Sequence, residues 1–413
     1  YFPVGTARSV GMGGATGSVG ADFSGLSINP AGIGLYRKSE FTFSPSIYWN
    51  STSSDFKGNS YEEVKYNFNL GNLGMVFNNN MRESGGWVST SFGIGVNRIN
   101  NFHQTIYMSG INNNSSYLDN FVNYANGNPP SNLNSYYEGL AFETYAIDTS
   151  GSTYFNDFNI DGYGQVQKRE LKTKGATNEY VFSFGANYNH KLYIGATLGI
   201  QSVKYQQNVI HTESDPNDII GYIDYFNFYE TLNTRGVGYT FKIGAIARPL
   251  NFLRIGAAFH LPTFYNLKDE YSTDMETKFD QDVSLDYYEA LSPLGDYKYQ
   301  LRTPPRIILS ATGTIGKLGM ISADYEFVDY TKAELDANDY GFDDENMQIE
   351  NLYRATQNLR LGGELRLGAA YLRAGYAIYN SPYATQEPNI KADHRILTAG
   401  FGIRSKYSFV DFS

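Results

Sequence analysis

Along most of this chain apolar residues fall on every second position. In the stretch 88–97, Val88, Thr90, Phe92, Ile94 and Val96 alternate with Ser89, Ser91, Gly93, Gly95 and Asn97. Successive side chains of a strand point to opposite faces, so this spacing predicts a strand with one apolar and one small polar face. The pattern recurs at 180–188, 192–201, 237–245, 253–261, 307–313, 321–327, 359–367, 372–378 and 397–403. A soluble sandwich or propeller also contains such strands. Here the repetition runs almost end to end, and no helical period is present to cover the apolar faces. The expected fold is therefore all-β, an antiparallel transmembrane β-barrel with its apolar face toward lipid and its polar face toward the lumen.

The connections sharpen this reading. Short ones (189–191, 248–252, 316–319, 368–370, 404–407 and the slightly longer 78–86) alternate with long ones (100–177, 207–234, 262–304, 331–354 and 380–393). Outer-membrane barrels have short periplasmic turns and long extracellular loops, which places the N-terminus on the periplasmic side. About thirteen strand windows are present. Single-chain bacterial barrels close with even numbers, so the expectation is about fourteen strands, with a final hairpin missing after Ser413. Tyr1 opens a mature-looking segment without a secretory signal peptide.

Composition agrees. Among 413 residues are 36 Tyr, 27 Phe and 42 Gly, and mean hydropathy is -0.40. Tyr suits interfacial girdles, and no run reaches the ~18 apolar residues of a membrane helix. Trp49, read as ending the first strand, and Trp87, beginning the third, are expected at opposite interfaces. No cysteine is available for a disulfide or thiolate chemistry. The net charge of -10, concentrated in 269–289 and 334–350, and the want of a basic cluster beyond Lys168–Lys174 argue against nucleic acid.

Residues 1–39 do not alternate. They are rich in Gly and carry Val10, Met12, Val19, Phe23, Leu26, Ile28, Ile33 and Leu35. That apolar content favours a buried plug in the lumen over a free tail, and divides the chain into a hatch (1–39) and a barrel (40–413). On the polar face of the strands fall Lys242, Arg254, His260, Asp324, Glu326, Arg360, Glu364, Arg366 and Arg373. Buried charges require partners, so these are expected to form a network bracing the hatch and reaching Arg8 and Asp22. An Arg fork there could instead take a ligand's carboxylate.

The run GTARSVGMGGA at 5–15, Asp22 and the tetrapeptide Asn29-Pro30-Ala31-Gly32 leading into a strand resemble the FadL/TodX family of outer-membrane transporters for long-chain fatty acids and aromatic hydrocarbons. The resemblance implies a fourteen-stranded barrel with an N-terminal hatch, of which Asn29–Gly32 is the hatch motif. It implies passive uptake of a hydrophobic ligand, hatch rearrangement, and sideways exit near a kinked third strand. That strand has no Pro here, so Gly93 and Gly95 are the candidate positions for a wall opening. A related group serves as secretion or assembly subunits of multiprotein outer-membrane complexes; its hatch reads NPAK, and Gly32 leans toward the transporters.

Other chemistry is sparse. Asp157, Asn159 and Asp161 begin a calcium-loop pattern, but Lys168 stands where the closing acid belongs, and a solvated turn is the simpler reading. The five His have no zinc spacing and no GxSxG is present, so no enzyme activity and no cofactor are expected. The expected partners are outer-membrane lipids, a hydrophobic small molecule and, in the assembly reading, other envelope proteins.

Overall fold

The computed structural model describes residues 5–81, 86–151, 153–280, 286–384 and 388–413. An N-terminal segment containing α1 (Ala7–Gly11) and two short turns of 3-10 helix, Ser24–Ser27 and Pro30–Leu35, precedes the strands. These are β1 (Glu40–Phe56), β2 (Asn59–Asn80), β3 (Trp87–Asn101) and β4 (Gln104–Asn112). A loop then carries α2 (Leu118–Ala125), α3 (Glu138–Glu143), the small hairpin β5 (Asp148–Ser150) and β6 (Thr153–Phe155), and α4 (Asp157–Ile160). The sheet resumes with β7 (Gln165–Tyr188), β8 (Leu192–Ser214), β9 (Ile223–Leu250), β10 (Leu253–His260), β11 (Phe264–Phe279), β12 (Tyr287–Leu291), β13 (Gly295–Arg302) and β14 (Arg306–Ile315). It continues through β15 (Gly319–Asp329), β16 (Glu334–Asp336), the exposed helix α5 (Asp343–Leu352), β17 (Ala355–Leu367), β18 (Ala370–Tyr379), β19 (His394–Arg404) and β20 (Phe409–Phe412).

All strands but β5 and β6 belong to one antiparallel sheet of 18 strands. The β9 strand pairs with β10 along its later half and with β11 along its earlier half, so β10 and β11 act as one long strand. In the same way β13 and β14 follow each other along the β11–β10 edge. No helix is long and apolar enough to cross a membrane. The outward faces instead carry the apolar sets read from the sequence, such as Trp49 (65% exposed), Phe68 (75%), Phe184, Phe241, Ile243 and Leu397 (84%). The inward faces carry Ser183, Thr197, Gln201, Thr240, Lys242, Ser310 and Thr312, all buried. Polar residues inside and apolar ones outside invert a soluble protein, as lipid exposure requires.

Two sequence expectations are corrected. The first strand does not end at Trp49 but runs to Phe56, turning at Lys57–Gly58. Much of the predicted long loops is regular sheet: β8 and β9 pair as far as Ser214↔Tyr225, and β11–β13 fill most of 262–304. Of 100–177, only 113–164 lies between β4 and β7. Above the apolar belt the outer face of these ribbons is polar and the inner face mixes apolar with polar residues, so the apolar-out, polar-in alternation vanishes while backbone pairing persists. The loop 113–164 has its own core: Leu118, Phe121, Leu140, Ile147 and Phe158 pack on Phe226, Phe228 and Met275 of the β9–β11 ribbon. The buried Glu213 carboxylate anchors it, accepting from Ser116 Oγ (2.6 Å), the Tyr117 amide (2.7 Å) and Gln167 Nε2 (2.7 Å).

Candidate functional site

The N-terminal segment lies against the polar inner face of the sheet, touching strands from β2 to β20. Small residues on both sides let the backbones meet. A Cβ at Gly195 of β8 would fall 2.3 Å from the Pro30 carbonyl oxygen, and one at Gly375 of β18 would fall 2.2 Å from the Gly13 amide nitrogen. Gly13 itself has φ +64°, which an L side chain rarely adopts. Phe23 fills the space that side chains at Gly74 and Gly95 would need, within a cluster with Leu26, Ile33, Tyr36, Val76 and Val181.

The motif at 29–32 has a plain structural reason. Asn29 caps the turn Pro30–Leu35, its Oδ1 accepting from the Ala31 amide (3.0 Å). Its Nδ2 donates to the carbonyl of Gly17 (2.7 Å), joining two stretches of the segment. Pro30 suits the first position of that turn, and Ala31 and Gly32 are buried. Asp22 does similar internal work, accepting from Thr6 Oγ1 (2.8 Å) and the Ser24 amide (3.0 Å).

Three charge clusters tie the segment to the wall. Arg8 holds Glu364 through Nε (3.1 Å) and Nη2 (3.3 Å); Arg373 donates to Glu364 (2.7 Å) and to Asp411 (2.7 Å). Lys242 donates to Glu179 (2.6 Å) and to the Ser27 carbonyl (3.2 Å), while Ser27 Oγ donates to Glu179 (2.5 Å). The Gly17 amide donates to Asp324 (2.9 Å), next to the pair Arg360–Glu326 (3.1 Å). Single contacts add to these: Arg254 to the Val19 carbonyl (2.6 Å), and His260 Nε2 to the Ile28 carbonyl (2.8 Å). Arg366 is the exception. It is exposed at a turn and donates to the Gly368 carbonyl (3.1 Å), because it stands at the end of β17 where the inner face meets the rim. Sequence reasoning missed Glu179 and Asp411. Glu179 has the parity of Ser183, Gly185 and Asn187, and extending that window by one step reveals it.

On the long-loop side of the segment lies a small cavity of about 40 Å³. Ile28, Ile99, Ile308 and Tyr379 line it together with His260, Glu326 and Arg360. The lining thus mixes apolar and charged groups. Arg360, buried beside it, is paired with Glu326 (3.1 Å) and hydrogen-bonded with Tyr379.

The wall is continuous at Gly93 and Gly95: both pair on each side, with Val76 and Ser183, and with Gly74 and Val181. Their missing side chains make room for Ile33 and Phe23, not for an opening. The strands separate just beyond these glycines. Pairing between β2 and β3 stops at Asn72↔Asn97, and β3 shifts register against β7 between Arg98 and Asn100. Past that point β4 follows β7 and lies behind the β1–β2 hairpin, where Thr52 and Ser54 donate to the carbonyls of Thr105 and Tyr107. Residues 59–70 of β2 pair with β1 alone among the described residues. The gap is bridged by side chains: Asn67 meets His103 (3.1 Å) and Arg98 (3.4 Å).

The calcium pattern is not assembled. Asp157 opens the single turn of α4, capped by Asn156, while Asp161 accepts from the Gly221 amide (2.8 Å). Among the described residues no group of three acidic or His side chains could hold a metal.

No family model and no curated protein matches the sequence. Solved structures match over nearly the whole chain. The CymD monoaromatic hydrocarbon channel shares 14% identity, with 99% of this chain and 91% of that chain covered and a TM-score of 0.52. A Pseudomonas aeruginosa FadL homologue shares 15%, covering 99% and 88%, at 0.51. A TodX monoaromatic hydrocarbon channel with S2 and S3 deletions shares 12%, covering 99% and 92%, at 0.51. The chain has the fold of the FadL/TodX-type β-barrels.

Proposed function

We propose that this chain is a passive outer-membrane channel for hydrophobic small molecules, with its N-terminus in the periplasm and residues 5–39 acting as a movable hatch. The observation that carries the reading is the cavity directly on the long-loop side of the N-terminal segment, beside the place where β2 and β3 separate. The likeness in fold to a hydrocarbon channel and a FadL homologue supports it. A ligand enters from the long-loop end, rests against Ile28, Ile99 and Ile308, and leaves through the side-chain-bridged gap after the hatch shifts. The cavity is small, so a long-chain amphiphile is accommodated only once the hatch shifts and widens it, with Arg360 at its edge facing the polar end.

Tethering tests hatch movement. Ser18 Oγ lies 2.7 Å from Thr312 Oγ1, so Ser18→Cys with Thr312→Cys is placed for a disulfide between segment and wall. Uptake of a fluorescent fatty acid by cells is expected to stop when the pair is oxidised and to return with reductant. Undiminished uptake by the fully oxidised protein would sink the moving hatch. Arg360→Gln is expected to slow fatty-acid uptake more than that of a neutral aromatic hydrocarbon.

A further inference from the structure

Four cations stand directly opposite one another on four neighbouring strands. Lys204 of β8 pairs with Arg235 of β9, Arg235 with Lys268 of β11, and Lys268 with Lys298 of β13. All four share the outward parity of the apolar belt. Arg235 is two residues beyond Val237 on the same face, Lys204 four beyond Ile200, and Lys268 four beyond Phe264. At ~3.4 Å per residue the row lies roughly 7–14 Å along the strands from the belt, at headgroup depth. Lys204, Arg235 and Lys298 are exposed and make no hydrogen bond or ion pair among the described residues; Lys268 is bound to Glu270 (2.9 Å) and Asp296 (2.7 Å). Like charges directly opposite on a sheet repel; the two carboxylates serve Lys268 and leave Lys204, Arg235 and Lys298 without an anion among the described residues.

We propose that this row binds the phosphate groups of an outer-leaflet lipid whose acyl chains lie on the belt below. The proposal rests on the reading above that the long-loop end faces outward. A lipid suits the row better than a soluble anion, because the cations form a line along the rim of the belt and not a pocket. Its phosphates bridge neighbouring cations while its chains cover Val237, Tyr239 and Phe264.

The test is thermal unfolding in nanodiscs of phosphatidylcholine alone and of diphosphoryl lipid A mixed one to four with phosphatidylcholine. The lipid A discs are expected to raise Tm by several degrees, and added salt to diminish the gain. The triple variant Lys204→Gln, Arg235→Gln, Lys298→Gln is expected to match or exceed the parent in phosphatidylcholine and to lose the gain. Should the triple variant fail to fold, Arg235→Gln, at the centre of the row, is expected to lose some of it. A full gain in the variants, no gain in the parent, or an equal gain from millimolar inorganic phosphate in phosphatidylcholine discs would overturn the proposal. Nanodiscs carry lipid A on both faces, so this outcome is independent of orientation. Orientation is read separately, from labelling of Gly127→Cys on intact cells with an impermeant maleimide.

Discussion

Lys242 and Glu179 show how strongly a single lumen residue is committed. Both are fully buried and 2.6 Å apart, and Glu179 also takes Ser27 of the N-terminal segment. Removing one partner leaves a charge uncompensated, at a cost of about 3–5 kcal/mol. Glu179→Ala is therefore expected to lower the unfolding temperature in detergent sharply, and Glu179→Gln with Lys242→Met to recover much of the loss. A single variant as stable as the parent would show that water reaches the pair. Gly375→Ala places a methyl against the Gly13 backbone, which has little room to retreat. It is expected to loosen the segment and raise ion conductance in planar bilayers. The sequence made these residues legible only to a point. Parity alone put Lys242, Asp324 and Glu364 inside, but it could not say that Arg366 reaches the rim, nor which acid serves which base.

The elements beyond the apolar belt are held by hydrogen-bonded carboxylates as well as by the loop's apolar core, and the carboxylates respond to pH. In the β9–β11–β12 ribbon, burial works to raise the Glu276 pKa, but hydrogen bonds from Tyr287, Asn227 and Tyr229 outweigh it and hold the carboxyl below its ordinary range. A carboxylate depressed on folding adds stability that is present above the unfolded value of about 4.3 and is lost as pH falls through the folded one. Hydrogen-exchange protection of β11 and β12 is expected to fall as pH drops below about 4. Glu276→Gln should remove that dependence; an unchanged profile would assign it to other groups. Glu213→Ala, deprived of its bonds to Ser116 and Tyr117, is expected to make 113–164 more sensitive to protease. The strands in this region escaped sequence reading because alternation marks a strand only when its two faces meet different solvents. In 207–234 and 262–304 neither face meets lipid, and the face covered by 113–164 mixes Phe226, Phe228 and Met275 with Glu213 and Thr273, so paired strands looked like loops.

For the whole molecule, a net charge of -10 conceals where the charges sit. The sequence shows no basic cluster near Lys204, Arg235, Lys268 or Lys298, since each lies on a different strand; only the register aligns them. The same holds for the separation of β2 and β3. The sequence points to the third strand, but the want of bulk at Gly93 and Gly95 serves close packing of Phe23 and Ile33.

The grip of the N-terminal segment on far strands also orders events in time. Arg8 reaches Glu364, 356 residues on, and Thr398 donates to the Gly11 carbonyl across 387. Contacts so distant in sequence carry a large loop-closure cost until the intervening chain has paired. The N-terminal segment is thus expected to be among the last parts to find its place, seating itself once β17 to β19 have paired to receive it. A kinetic phase that reports Phe23 burial should trail sheet formation during refolding into lipid, and Gly375→Ala should slow that phase alone.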